Sequence, residues 1–150
     1  MANKDNSRKV RDVMTSNPET VTEKDEVRQV ARIMKEKDTG VVPVIDGSRK
    51  VIGLVTDRDI VVRCIAEGHE LDKCLVNSVM TKNVRSVRDD APVDEVLSLM
   101  SNAEVRRVPV VNSNNELVGI VSMGDIAIQT NKDGKLGKAL EDISQAPPNN

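Results

Sequence analysis

Apolar and polar positions along the chain recur after a shift of 66 residues, the separation between Val13 and Val79. The shift places Val13-Met14-Thr15 on Val79-Met80-Thr81 and Val42-Pro43-Val44 on Val108-Pro109-Val110. It also preserves glycine and aspartate positions, which a chance match of hydrophobic residues would not do. The pattern therefore indicates an internal duplication with one fixed offset and no insertion.

Each copy predicts the same series of elements. Apolar residues at i, i+3, i+4 and i+7 mark one helix per copy, formed by Val27, Val30, Ala31 and Met34 in the first copy and by Val93, Val96, Leu97 and Met100 in the second. Valine-rich runs bounded by turn-forming residues predict two strands per copy, at residues 41–45 and 51–55 and at residues 107–111 and 117–121. A short extended piece precedes each of these helices, and a second helix is expected to begin near Asp59 or Asp125.

Two local patterns predict where the first helix of each copy begins. Thr22-x-x-Asp25 has the spacing of a capping box at the start of the helix in the first copy. Pro92 suits the first turn of the helix in the second copy, where a backbone N–H is not needed.

These elements predict a mixed α/β (α+β) fold built from two tandem repeats. One copy is too short to cover its own sheet, so we expect the two copies to pack sheet to sheet about a pseudo-twofold axis. The predicted layout is an N-terminal extension at 1–9, a first repeat at 10–65, a linker at 66–75, a second repeat at 76–131, and a short helix and tail at 132–150.

Composition narrows the class of function. The net charge is −2 and the chain contains no Phe, Tyr or Trp, so it lacks both the positive surface and the aromatic platforms typical of nucleic-acid binding. No apolar run approaches the roughly 20 residues that span a bilayer, and residues 1–9 lack the apolar core of a signal peptide. We therefore expect a cytoplasmic protein that binds neither nucleic acid nor membrane.

Both copies carry one polar signature where the second strand passes into a helix. It reads Gly53-Leu54-Val55-Thr56-Asp57-Arg58-Asp59 in the first copy and Gly119-Ile120-Val121-Ser122-Met123-Gly124-Asp125 in the second. Ser/Thr-x-x-Asp is close to a capping box, in which both side chains satisfy free backbone N–H groups. A carboxylate there can also accept two hydrogen bonds from the neighbouring hydroxyls of a ribose, and the helix N-terminus beside it attracts phosphate. A cap and a ligand site are compatible at this turn, so both interpretations stay open.

The two-copy layout resembles the CBS domain, paired as in a Bateman module. The Val-Met-Thr openings, the Val-Pro-Val strands and the Gly-x-x-(Thr/Ser)-x-x-Asp turns carry the resemblance over about residues 10–130. The chain is also similar to the short stand-alone bacterial CBS-pair proteins, including the run Thr56-Asp57-Arg58-Asp59-Ile60. The resemblance implies a regulatory module that binds AMP, ADP or ATP, and in some members NAD or S-adenosylmethionine, at two sites in the cleft between the repeats.

The resemblance also implies roles for individual residues. Asp59 and Asp125, which match its motif, hold the ribose, with Thr56 or Ser122 beside the sugar or phosphate. The base packs near the extended piece and the Val-Pro-Val strand of each copy, where main-chain groups read the adenine edge. These residues are Thr20, Val21, Val42 and Pro43 in the first copy and Ser86, Val87, Val108 and Pro109 in the second. Aliphatic walls of this kind suit a chain without aromatic residues.

The two predicted sites differ in charge. Where the Val-Pro-Val strand begins, the first copy has Gly40-Val41 and the second has Arg106-Arg107. Two guanidinium groups near a phosphate would strengthen the second site. Strand alternation puts only one of two neighbours on each face, so a solvated strand edge is the other interpretation of the arginine pair. Arg58 could serve the first site or reach the shared centre, and Met123-Gly124 stands in place of Asp57-Arg58 in the second copy.

The leading hypothesis is a sensor that is not an enzyme and requires no cofactor. An adenine nucleotide acts as the regulatory ligand, binding changes a homodimer, and an unidentified protein partner reads the change. One alternative is a ligand-free adaptor that dimerises through the apolar helix faces at residues 27–34 and 93–100. Another is a metal- or redox-linked regulator that uses Cys64, His69 and Cys74. Their spacing is unlike that of tight zinc motifs, and we expect them to be solvent-exposed linker residues.

Overall fold

Two compact units make up the protein. The computed structural model describes residues 8–130, and the predicted C-terminal helix and tail lie outside them. One unit, here called the central unit, is Pro18–Val84, and the other, here called the split unit, combines residues 8–17 with residues 85–130. We call residues 8–17 and the equivalent residues 74–83 the opening segments of the first and second copies. Each unit therefore joins the opening segment of one sequence copy to the body of the other copy.

The predicted helix–strand–strand–helix order is present in both copies, and each copy also opens with a short helix that was not predicted. The first copy contains α1 (Val10–Val13), β1 (Thr15–Ser16), α2 (Val27–Lys37), β2 (Val41–Ile45), β3 (Val51–Thr56) and α3 (Asp57–Ile60). A π-helical turn at Val61–Ile65 and a 3₁₀ turn at Leu71–Lys73 follow. The second copy contains α4 (Val76–Val79), β4 (Val87–Arg88), α5 (Val93–Ala103), β5 (Arg107–Val111), β6 (Leu117–Ser122) and α6 (Met123–Thr130). The predicted amphipathic helix of each copy, α2 or α5 and here called its central helix, is confirmed, as is the predicted strand pair. Both β3 and β6 extend one residue further than predicted.

Each unit carries a sheet of the same order. In the split unit the order is β1-β6-β5-β4, with β4 parallel to β5 and the other pairs antiparallel. In the central unit β2 and β3 form the antiparallel pair. Single bridges extend this pair at both edges, from Val21 in parallel to Val44 and from Thr81 in antiparallel to Leu54. The extended piece that precedes each central helix thus lies at one sheet edge, and the opening of the other copy lies at the opposite edge.

The opening segments also complete the start of each central helix. The first N–H of α2, from Val27, donates to the Cys74 carbonyl at 2.8 Å, and the first N–H of α5, from Val93, donates to the Arg8 carbonyl at 2.9 Å. Helix starts leave such N–H groups without intrahelical partners. A main-chain carbonyl from the other copy's opening therefore does what a capping side chain would otherwise do.

This arrangement corrects the two predicted helix starts. The Asp25 carboxylate accepts the Thr22 N–H at 2.8 Å, as in a capping box, but α2 begins later, at Val27, with Glu26 at its N-cap and no side-chain cap. The predicted cap is wrong because the Cys74 carbonyl already satisfies the first helical N–H. Pro92 occupies the N-cap of α5, one position before the predicted one.

Two glycines let the openings approach the sheets closely. A Cβ atom at Gly53 would lie 2.8 Å from the Thr81 carbonyl oxygen. A Cβ atom at Gly119 would lie 2.9 Å from the Thr15 carbonyl oxygen and would also meet the Met14 sulfur. Real Cβ atoms do not come so close to backbone oxygen, so both glycines are required by the packing of a neighbouring chain segment.

The predicted apolar helix faces form the cores of the units. In the central unit Val27 and Val30 of α2 are fully buried, and in the split unit Val96 and Met100 of α5 are fully buried. Each such side chain contributes about 1.5–3 kcal/mol of hydrophobic stabilisation. These four residues therefore belong to the cores, together with strand residues of their own unit. Dimerisation through the remainder of each face, as in the adaptor alternative, stays a prediction. Within residues 8–130 no helix is long and apolar enough to cross a membrane.

Candidate functional site

The turn between β3 and α3 holds the first predicted carboxylate. The Thr56 hydroxyl accepts the Asp59 N–H at 3.1 Å, and the Asp59 Oδ2 accepts the Thr56 N–H at 2.8 Å. This reciprocal pair is a capping box at the start of α3. It fixes the Asp59 side chain, which is only 8% exposed.

The turn between β6 and α6 repeats this geometry. The Ser122 hydroxyl accepts the Asp125 N–H at 3.1 Å, and the Asp125 Oδ2 accepts the Ser122 N–H at 3.0 Å. The capping interpretation of the signature is thus confirmed in both copies. In each turn the cap uses only Oδ2, and a carboxylate has about four lone-pair positions on its two oxygens. The caps therefore leave acceptor capacity for a further donor.

The remaining oxygens of the two carboxylates have different surroundings. The Thr81 hydroxyl lies 3.4 Å from both Oδ1 and Oδ2 of Asp59. Among residues 8–130, no group donates a hydrogen bond to Oδ1 of Asp125, whose side chain is half-buried. The carboxylate of the split unit is thus the more open of the two.

The starts of β2 and β5, and the residue before each, lie beside the same turns. The Gly40 carbonyl accepts the Asp57 N–H at 3.0 Å, and the Arg106 carbonyl accepts the Met123 N–H at 2.9 Å. Arg107 pairs in register with Ser122. The main chain of the arginine pair in the split unit therefore lies next to the start of α6.

The three candidate cations differ in exposure. Arg58 and Arg106 are exposed, whereas Arg107 is half-buried. In the described part of the chain no carboxylate forms an ion pair with any of the three. All three guanidinium groups keep their donors available for an anion from solution.

The residues predicted to meet the base present mainly their main chains. The side chains of four valines belong to the cores, and each is at most 4% exposed: Val21, Val42, Val87 and Val108. Pro43 and Pro109 are also buried but pair across the strands with Leu54 and Ile120. Neither proline belongs to the helix-covered core, so these prolines and their partners contribute apolar side chains to the second sheet face.

The extended piece offers unpaired main-chain groups. The Val21 N–H donates to the Pro43 carbonyl at 3.1 Å, and the Val21 carbonyl accepts the Ile45 N–H at 2.9 Å. Successive residues of a strand direct their polar groups to opposite edges, so Thr20 directs its N–H and carbonyl away from β2. No partner within residues 8–130 bonds to them. Ser86 precedes Val87 at the corresponding point of the split unit and is exposed.

The linker cysteines are not where the sequence placed them. His69 is exposed as expected, but Cys64 and Cys74 are buried, at 0% and 3% exposure, with free thiols. The expectation of exposed cysteines is wrong because both thiols pack into the core of the central unit, Cys64 from the π-helical turn and Cys74 from the end of the 3₁₀ turn at Leu71–Lys73. Burial, followed by the neighbouring Cys64 thiol, raises the pKa of Cys74 to about 11. Among the described residues no three or more His, Cys, Asp or Glu side chains are grouped so that they could hold a metal ion.

One site residue was missed by sequence reasoning. Thr81 contacts Asp59, although the two residues belong to different copies. The Val-Met-Thr opening was visible as a repeated motif, but nothing in the sequence connects its threonine to the aspartate of the preceding copy.

Comparisons with known proteins agree with the repeat. A family model described as the CBS domain matches residues 10–65 and 76–129. The uncharacterized protein YlbB of Bacillus subtilis (strain 168) is 39% identical over 138 residues, which cover 91% of this chain and 92% of that protein. The match thus spans nearly the whole length of both proteins.

Solved structures share the architecture. The chain resembles Hypoxic Response Protein I with two coordinated zinc ions (TM-score 0.74, 32% identity, 81% of this chain and 98% of that chain). It resembles CBSX2 in complex with AMP, with a TM-score of 0.70 and 27% identity, over 83% of this chain and 96% of that chain. It also resembles the CBS domain pair of protein MJ0100 in complex with 5′-methylthioadenosine and S-adenosyl-L-methionine. The TM-score is 0.74 and the identity 28%, over 84% of this chain and 98% of that chain. The predicted α/β fold of two tandem repeats is thereby confirmed.

Proposed function

The chain belongs to the CBS domain family, and from this premise we propose that it is a regulatory module that binds adenosyl ligands, with AMP as the first candidate. Two proteins of the same fold are described in complex with such ligands, one with AMP and one with 5′-methylthioadenosine and S-adenosyl-L-methionine. The proposal assigns one site to Asp59 and its surroundings and a second to Asp125 and its surroundings. ADP, ATP and NAD are further candidates that share the adenosine part.

The observation that carries the proposal is that the cap of each aspartate engages only one oxygen, Oδ2, and leaves acceptor capacity on the carboxylate. The caps engage Oδ2 of Asp59 and Oδ2 of Asp125 through the N–H groups of Thr56 and Ser122. The same carboxylates can accept the two hydroxyls of a ribose, and hydrogen bonds to a charged acceptor contribute about 1.5–3 kcal/mol each. A cap that holds the carboxylate rigidly makes such a bidentate contact less costly in entropy.

The main chain supports recognition of the base. The N–H and carbonyl of Thr20 are unpaired among the described residues, and a donor next to an acceptor matches the polar edge of adenine. Pro43 and Leu54 lie across from one another on the second face of the sheet and supply an aliphatic wall in a protein without aromatic residues. We assign the corresponding roles in the split unit to Ser86, Pro109 and Ile120.

Regulation follows from a difference in ligand affinity between two states of the module. A ligand shifts an equilibrium only by as much as it prefers one state. We propose that the protein forms a homodimer and that the two states differ in the angle or association of its two modules. A protein partner then distinguishes the two states.

Calorimetric titration tests the binding function. We expect AMP, ADP, ATP, NAD or S-adenosylmethionine to release or absorb heat at up to millimolar concentration and to raise the melting temperature. Since the chain lacks Trp, Tyr and Phe, an absorbance maximum near 260 nm in purified protein would directly reveal a co-purified adenine ligand. The adenosyl proposal would be refuted if none of the five compounds produced either a heat of binding or a shift in melting temperature.

Matched variants separate binding from capping. Asp59→Asn and Asp125→Asn keep an oxygen that can accept the capping N–H but remove the charge that the diol requires. We expect each to weaken binding at its own site about 100-fold or more, with little change in melting temperature. Asp59→Ala and Asp125→Ala should weaken binding as much and also cost about 1 kcal/mol of stability through the lost cap. Equal binding by the asparagine variants and the wild type would contradict the assigned role.

A further inference from the structure

The Thr81 hydroxyl faces the Asp59 carboxylate symmetrically. Its oxygen lies 3.4 Å from Oδ1 and 3.4 Å from Oδ2, so it is equidistant from the two carboxylate oxygens. The Thr56 N–H holds Oδ2 from another direction at 2.8 Å. The Thr56 N–H and the Thr81 hydroxyl together restrict rotation of the carboxylate plane. One donor alone would leave that rotation less restricted.

Thr81 is itself firmly placed. Its N–H donates to the Leu54 carbonyl at 2.8 Å, and its carbonyl accepts the Leu54 N–H at 3.0 Å. The Arg63 guanidinium donates to the carbonyls of Val79 and Met80, at 3.2 and 3.1 Å, just before this bridge. The hydroxyl therefore sits on a segment held by four hydrogen bonds to the body of the central unit.

The split unit lacks this contact. Thr15 holds the position equivalent to Thr81 and pairs in register with Ile120. Within residues 8–130, however, no hydrogen bond joins Thr15 to Asp125. The same unit has Arg106 and Arg107 beside the turn, where the central unit has Gly40 and Val41.

We infer that Thr81 is a positioning residue that orients Asp59 toward a ribose diol, so that the central-unit site selects its ligand by the intact diol and the split-unit site selects by phosphate. The inference rests on the proposed adenosyl function. The four acceptor positions of the carboxylate accommodate two ribose hydroxyls, the Thr56 N–H and the Thr81 hydroxyl together. Thr81 therefore assists the diol and does not compete with it.

The test compares Thr81→Val with the matched control Thr15→Val. Thr81→Val is made in an Asp125→Ala background and Thr15→Val in an Asp59→Ala background, so that each protein retains one site. Calorimetry with adenosine and with 3′-deoxyadenosine measures how far each site depends on the diol. We expect Thr81→Val to weaken adenosine binding about 3- to 10-fold and to change 3′-deoxyadenosine binding less. Thr81→Ser should restore adenosine binding, and Thr15→Val should change neither affinity.

Two outcomes overturn the positioning role while the proposed function stands. One is unchanged adenosine affinity in Thr81→Val, and the other is an equal loss for adenosine and 3′-deoxyadenosine. If the wild type binds no adenosyl ligand, the proposed function itself fails, and a ligand-free measurement still decides whether Thr81 acts on Asp59. In a double-mutant cycle of unfolding, Thr81→Val and Asp59→Ala should couple by about 3- to 10-fold in the equilibrium constant. Thr15→Val and Asp125→Ala should be additive, and additivity in both cycles would overturn the inference.

Discussion

The central and split units share fine backbone detail but differ in the side chains around their carboxylates. Non-glycine residues with positive φ occur in equivalent pairs, at Asn17 and Asn83, Asp38 and Glu104, and Arg49 and Asn115. The strand pairs are also irregular at the same point, after Val44 and after Val110. Such conformations are costly for residues with a Cβ. The duplicated fold therefore preserves its backbone strictly, while the residues around each site have diverged.

The divergence gives each unit a different chemistry. In the central unit Asp59 is buried and faces the Thr81 hydroxyl. In the split unit Asp125 is half-buried, Arg107 begins the adjacent strand and Arg106 precedes it. One scaffold can thus present two sites of unequal preference, and this difference can be tested by moving residues of one unit into the other.

Among the variants that test this difference between the units, the largest effect is expected from removing the arginine pair. Arg106→Gly together with Arg107→Val copies the Gly40-Val41 sequence into the split unit. We expect AMP affinity at the split-unit site to fall about 30- to 100-fold because charge-assisted contacts to phosphate are lost. The measurement is calorimetry in an Asp59→Ala background. Adenosine, which has no phosphate, is the control ligand, and an equal loss for adenosine and AMP would refute a phosphate contact.

Substitution of the close-contact glycines is expected to come next. Gly53→Ala and Gly119→Ala place a Cβ within 2.8 and 2.9 Å of backbone oxygens and should each lower the free energy of unfolding by about 1–2 kcal/mol. Gly47→Ala is the control, since nothing lies within 4 Å of a Cβ at that position. Urea unfolding of the three variants gives the comparison. Losses no greater than that of Gly47→Ala would mean that the openings are not tightly packed on the sheets.

A smaller effect is expected on stability at alkaline pH. It concerns the central unit, which contains both cysteines of the chain. The pKa of Cys74 is raised to about 11 from an ordinary value of 9.0, so the unfolded chain loses its proton first as pH rises. The stabilisation is complete below pH 9 and is lost as pH rises toward 11, with about 1 kcal/mol lost by pH 10. Denaturant unfolding at pH 7 to 10 measures this loss, and Cys74→Ala should reduce it. An unchanged pH dependence in Cys74→Ala would contradict the assignment.

The smallest effect distinguishes the two hairpin turns. Asp46 Oδ1 accepts the N–H groups of Ser48 and Lys50, and Asn112 Oδ1 accepts those of Asn114 and Glu116. The Lys50 and Ser48 N–H groups lower the pKa of Asp46 below 3.8. Its stabilisation is therefore present above pH 3.8 and is lost as pH falls through the lowered value.

Exchange of these turn residues tests the acid response. Asp46→Asn should make the melting temperature less sensitive to acid between pH 6 and pH 3, and Asn112→Asp should make it more sensitive. Thermal melts of both variants and the wild type across this range provide the measurement. Identical acid profiles for all three proteins would show that the charge on Asp46 adds nothing to its turn.

The sequence allowed the helices and strands to be predicted because burial leaves a local periodicity within each copy. The Asp59 and Asp125 turns could be predicted for the same reason, since a cap depends on residues three positions apart. The exchange of opening segments could not be predicted, because both sheets have the same edge and nothing in the sequence says which opening joins which sheet. Thr81 escaped notice for this reason. Cys74 was misplaced because its burial depends on a short turn that no periodicity marks.

The reciprocal exchange of openings has a consequence for how such a protein could arise. A half-length ancestor with one opening and one sheet could complete the sheet edge by exchanging openings with a second molecule, as in a domain-swapped dimer. Gene fusion of two such molecules would turn this intermolecular exchange into an intramolecular one, which no longer weakens on dilution. After fusion, deletion of either half would strand the other without its partner's opening, so the duplicated gene would be inherited as a single indivisible piece.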